Sequence, residues 1–206
     1  MKHRWLIGLN VVLKLAVVGL LAFALVHTDW PRFASKAMTA RAFIYPLLVA
    51  TPAAIWAVVR WRARRCGKPD PAYPLVADVL ITIPFVVDLA GNALNLYDTV
   101  DHFDDFCHFV NWAILTAAIG TVLIKRKDLP GWVMLGLLIG FGTTTAVLWE
   151  IGEFGAFVTK APEVKTAYRD TIGDLTLGTL GACLAAGLTV WLGRRGRRRM
   201  EVGAVN

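Results

Sequence analysis

Apolar residues fall along this chain in long unbroken blocks rather than in narrow stripes. Six blocks of about 20 residues stand out, at 5–27, 40–60, 75–96, 105–124, 131–153 and 170–192. An α-helix needs about 20 apolar residues to cross roughly 30 Å of hydrocarbon. Backbone groups in lipid must bond within their own segment, so the blocks predict helices and not isolated strands. Six helices consume most of the 206 residues. The expected class is therefore all-α, a polytopic membrane helix bundle. Residues 1–193 form one transmembrane domain and 194–206 a short basic tail.

The net charge is +7, which on a soluble chain would point to nucleic acid. Its placement does not. Of the 22 Lys and Arg, fifteen lie at the amino end (Lys2, Arg4), after the second block (Arg60, Arg62, Arg64, Arg65, Lys68), after the fourth (Lys125, Arg126, Lys127) and in the tail (Arg194, Arg195, Arg197, Arg198, Arg199). The intervening loops carry only Arg32, Lys36, Arg41, Lys160, Lys165 and Arg169, and Lys14 sits inside the first block. Such alternation follows the positive-inside rule and predicts both termini in the cytoplasm. The partners expected are membrane lipids, with no nucleic acid, and nothing in the pattern sets the oligomeric state. The start, "MKHRW" followed by an apolar run and Ala22-Phe23-Ala24, has the outline of a cleavable signal. The length of the run and Lys14 favour a retained helix. Cys66, Cys107 and Cys183 are too scattered for a disulfide framework or a thiolate metal site.

With that orientation, most acids gather at one side of the membrane. "YDTVDHFDDFCH" at 97–108 packs Asp98, Asp101, Asp104 and Asp105 with His102 and His108 into the turn between the third and fourth blocks. The fifth block ends in "LWEIGEF", with Glu150 and Glu153, and the sixth begins with Asp170 and Asp174. Helical spacing puts Asp101, Asp105, His108 and Trp112 on one face and lets each later pair point one way. Asp88, Asn92 and Asn95 form a polar stripe in the third block leading toward the same side. Asp98, Asp104 and Glu163 read as solvated loop acids. Asp88, Glu150, Glu153 and Asp174 lie inside apolar runs, where a charge costs roughly 2.5–3.5 kcal/mol at mid-helix and marks function.

Clustered carboxylates also repel. Two charges about 5 Å apart at an effective dielectric near 20 oppose each other by roughly 3 kcal/mol. Arg169 alone, the basic residue next to the cluster in sequence, does not balance six or more acids. Three states satisfy the chemistry: a bound divalent cation, protons shared among the carboxylates, or an inert polar cap. Oxygen donors with an imidazole suit Zn, Mn, Mg or Fe(II). On the first alternative His102, Glu150, Glu153, Asp170 and Asp174 are the expected ligands, with Asp98 or Asp101 as catalytic base. The spacing matches no named metal signature.

Other features concern packing. Gly136 and Gly140 stand at GxxxG spacing with Gly142 beside them, and the last block carries Gly173, Gly178 and Gly181. Small residues allow close helix approach in lipid. Pro46 and Pro52 in the second block and Pro84 in the third predict kinks. Trp30, Trp132, Trp191 and Tyr168 fall where aromatic belts form.

The motifs "LYDTVDHF", "LWEIGEF" and "YRDTIGDLTLGTLGA" resemble those of the YjdF-like family of bacterial inner-membrane proteins, and more distantly of VanZ-like membrane proteins. The matching positions are Tyr97, Asp98, His102, Phe103, Glu150, Glu153, Asp170, Thr171, Asp174, Gly181 and Ala182. The resemblance covers about 95–183 and implies a multi-pass protein of the bacterial cytoplasmic membrane, without assigning a reaction. "DDFCH" after the His-Phe pair departs from the family pattern, so Asp104, Asp105 and His108 are not carried over as family site residues. Three functions are compatible with these residues. One is a metal-dependent enzyme acting on a lipid or lipid-linked headgroup. The others are an ion- or proton-coupled transporter using Asp88, Asn92 and Asn95, and a non-catalytic membrane partner with an acidic cap.

Overall fold

The computed structural model describes residues 4–34, 36–126, 128–156 and 167–203, the last seven of these by backbone alone. Lys2, Lys127, Lys160, Glu163 and Lys165, which entered the charge reading, lie outside the described residues. All regular structure among the described residues is helical: α1 (Arg4–Val26), α2 (Met38–Arg65), α3 (Leu75–Ala93), α4 (Leu96–Thr99), α5 (Phe103–Leu123), α6 (Gly131–Ala156) and α7 (Ala167–Gly203). Six of these, all but the single turn α4, are long and apolar enough to span a bilayer. Each coincides with one of the apolar blocks. The last exceeds its block, because the helix runs on from the apolar segment through the arginine-rich tail to Gly203. Pro46 and Pro52 sit inside α2, and Pro84 inside α3, without ending the helix.

The chain divides into two compact units, 1–103 and 104–206. The boundary cuts "YDTVDHFDDFCH" in two. Tyr97, Asp98, Asp101 and His102 belong to the first unit, and Asp104, Asp105 and His108 to the second.

In the first unit α1, α2 and α3 pack against one another, and two buried carboxylates on α3 tie the helices together. Asp78 is fully buried. Lys14 from α1 donates to both its oxygens at 2.9 and 2.7 Å, Asn10 at 2.7 Å and Tyr73 at 2.6 Å. Lys14 therefore has its counter-ion, and an intramembrane charge is made tolerable by pairing. Asp88 accepts from Tyr45 at 2.6 Å, from Tyr97 at 3.2 Å and from Asn92 at 3.4 Å, and Arg41 Nε stands 3.3 Å away. Arg41, expected as a loop charge, is thus the cation of this second network. It also donates to the Lys36 carbonyl and so closes the loop leading into α2. That loop packs Phe33 and Trp30 against Ala24, Met38 and Ala93. Outside the spans, Arg64 and Arg60 hydrogen bonds to Asp70 hold its carboxyl well below the usual carboxylate range and clip the α2–α3 connection.

In the second unit small residues set how closely α5, α6 and α7 meet. A methyl at Gly181 would overlap the Phe109 carbonyl oxygen, and one at Gly142 the Ala182 methyl. At Gly178 a methyl would come within 2.6 Å of the Trp112 ring. Gly136 and Gly140, the GxxxG pair, face open space, because two further residues along α6 turn the contacting face to Gly142. Toward the other end Met134, Leu138 and Ala186 form a buried cluster with Ile119, Leu123 and Val190 around it.

Candidate metal centre

The polar site of the second unit lies where α5 starts, α6 ends and α7 starts. Helical periodicity explains its composition. Asp104 and His108 are four apart on α5, Glu150 and Glu153 three apart on α6, Asp170 and Asp174 four apart on α7, so each pair shares a face. The close approach at Gly178 and Gly181 draws α7 onto α5, which brings Asp174 to the level of His108.

His108 is the hub, 8% exposed. Its Nδ1 stands 3.5 Å from Glu150 Oε1. Its Nε2 stands 3.5 Å from Asp104 Oδ1 and 3.8 Å from Asp174 Oδ1. These exceed the usual 2.7–3.2 Å of an N–H···O bond. Two donors each about 2.1 Å from one tetrahedral ion stand roughly 3.4 Å apart, which is nearer to what is seen. Among the described residues two sets of three donors come within 4.8 Å of one another: Asp104, His108 and Asp174, and His108, Glu150 and Glu153. Glu150 and Asp174 are buried, Glu153 is half-buried, and Asp104 is 51% exposed in its side chain. The Nε2 side is therefore the accessible one. Glu150 Oε1 is buried and receives no hydrogen bond among the described residues. Beside the cluster a partly open cavity of about 290 Å³ is lined by Asp105, Arg169, Asp170 and Gly173.

Of the residues expected from sequence, Glu150, Glu153 and Asp174 stand in these donor sets, and Asp170 lines the adjoining cavity. The imidazole in both sets is His108. His102 lies in the first unit, exposed, in the turn before α5 with φ 62°, a left-handed conformation in which histidine is enriched among non-glycine residues. Asp98 is paired with Lys36 at 2.7 Å, and Asp101 is exposed in the same turn. Asp104 had read as a solvated loop acid and stands in a donor set. Its spacing of four from His108 was the signal available.

No solved structure matches the chain. An uncharacterised protein of Thermotoga maritima is 29% identical over 119 residues, which span 55% of this chain and 60% of that relative. The family model described as a predicted membrane protein, DUF2238, matches residues 9–195. That span reaches into all six long apolar helices and includes the His108 cluster, so the chain belongs to the DUF2238 family of predicted membrane proteins.

Proposed function

We propose that this membrane protein is a metal-dependent enzyme whose centre is the His108 cluster and whose substrate is a lipid or lipid-linked headgroup. The observation that carries the reading is one buried imidazole with carboxylates on both sides at 3.5–3.8 Å. On this reading Asp104, His108 Nε2 and Asp174 hold a divalent cation, Zn, Mn, Mg or Fe, on the accessible side. Glu150 faces Nδ1 at 3.5 Å and, on closing to hydrogen-bond distance when the cation binds, would orient the ring, the carboxylate–imidazole arrangement that commonly supports a metal ligand. Glu153, in the second donor set, would complete the ligand set or take a proton. A cation there would lower the pKa of bound water and polarise a phosphoryl or acyl oxygen.

The site lies at helix ends, the depth of a lipid headgroup in a spanning protein. We place the chain in the bacterial cytoplasmic membrane with both ends inside, on the alternation of basic loops. The carrier reading has less support. Its key residue, Asp88, is occupied by Arg41, Tyr45, Tyr97 and Asn92.

The test is metal content. Protein purified without chelator is expected to carry near-stoichiometric divalent metal by mass spectrometry. His108→Ala and Asp174→Asn are expected to lose at least tenfold in metal affinity. Metal-free wild type that also fails to bind added Zn, Mn, Mg or Fe(II) would remove the proposal.

A further inference from the structure

The cavity beside the cluster has its own charge pattern. Arg169 contributes the cation, and Asp105 and Asp170 the anions. Among the described residues Arg169 makes no ion pair within 4.0 Å, although two carboxylates line the same cavity. A planar guanidinium is the side chain best matched to a phosphate. Two carboxylates beside it would repel a simple phosphate but attract an ammonium group. At about 290 Å³ the cavity is at the small end of ligand sites, roughly 300–1,000 Å³. It suits a headgroup and not a whole lipid. Tyr168, one residue before Arg169, is 84% exposed, and exposed tyrosines at helix ends mark the level of the headgroups.

We propose that this cavity seats a headgroup that carries a phosphate and an ammonium a few bonds apart, with the phosphate on Arg169 and the ammonium on Asp170 and Asp105. Asp174 is one turn along α7 from Asp170, and Asp104 precedes Asp105 on α5. A phosphate on Arg169 would therefore lie beside the donor set of the proposed cation. The inference rests on the preceding reading for its catalytic meaning but not for its test. Arg169, Asp105 and Asp170 are outside the two donor sets, so binding is measured with chelator present.

The full-length protein in nanodiscs is titrated with short-chain phosphatidylethanolamine, short-chain phosphatidylglycerol and free phosphoethanolamine. Wild type is expected to prefer the ethanolamine lipid over the glycerol lipid by tenfold or more. Asp170→Asn and Asp105→Asn are expected to cut that preference to threefold or less. Arg169→Gln is expected to weaken both lipids alike. Thermal unfolding of each variant shows whether it is folded. If one carboxylate variant does not fold, the other carries the test. Should free phosphoethanolamine bind as tightly as the lipid, the site and its polarity stand and the ligand is a soluble one. Equal wild-type affinity for the two lipids, or a preference unchanged in both folded carboxylate variants, overturns the proposal. Wild type that binds no divalent metal yet keeps the ethanolamine preference would leave this cavity standing without the metal centre. Metal binding that is lost in His108→Ala, together with no ethanolamine preference in wild type, would leave the metal centre standing without it.

Discussion

Replacing Lys14 with methionine perturbs one interaction whose consequence can be worked from the first unit. The Asp78 side chain is 0% exposed and the Lys14 side chain 32% exposed. Methionine keeps most of the aliphatic stem, so packing between α1 and α3 changes little. What goes is the cation 2.7 Å from the carboxylate. Asn10 and Tyr73 remain as neutral donors. Breaking a buried pair on one side costs about 3–5 kcal/mol. One third of Lys14 already meets its surroundings, so the lower end applies, about 3 kcal/mol. That is roughly a hundredfold in the folded-to-unfolded ratio. The double variant Lys14→Met/Asp78→Asn removes the uncompensated charge while the amide oxygen still accepts from Tyr73. It is expected to recover about 2 kcal/mol of the loss. The assay is equilibrium unfolding in mixed micelles, followed by tryptophan fluorescence and evaluated as a double-mutant cycle. A single variant within about 0.5 kcal/mol of wild type would refute the reasoning. So would a double variant no more stable than the single.

Helix approach in the second unit gives a paired test. Gly181→Ala is expected to cost about 2–3 kcal/mol, since its methyl would overlap the backbone oxygen of Phe109, which no rotamer change relieves. Gly136→Ala meets nothing within 4 Å and is expected to be neutral or stabilising by up to about 1 kcal/mol, both read by the same unfolding assay. Tyr45→Phe removes the 2.6 Å donor to buried Asp88 and is expected to cost about 1–3 kcal/mol. Because Asp88 is outside the His108 cluster, metal content in this variant should stay at the wild-type value.

The spans were legible because crossing a bilayer is a demand on length and composition alone. Block 105–124 became Phe103–Leu123 and block 131–153 became Gly131–Ala156. The polar faces were legible for a similar reason, since spacings of three and four are local. Glu150 with Glu153 and Asp170 with Asp174 needed no knowledge of the fold.

Partner choice was not local. Asp78 finds Lys14 64 positions away, and Asp88 lies 47 from Arg41. Sequence shows only that each buried charge requires a counterpart. Nor does spacing say which imidazole meets the carboxylates of α6 and α7. His108 does so because Gly178 and Gly181 let α7 approach α5, a distance set by residues one to two turns from Asp174. The GxxxG pair at Gly136 and Gly140 shows the same limit, for the motif is present and the contact is made by Gly142. Composition and period, which act within one helix, were determined by the chain alone. The pairing of charges and the meeting of faces depend on how helices far apart in sequence pack, and only the tertiary structure decided them.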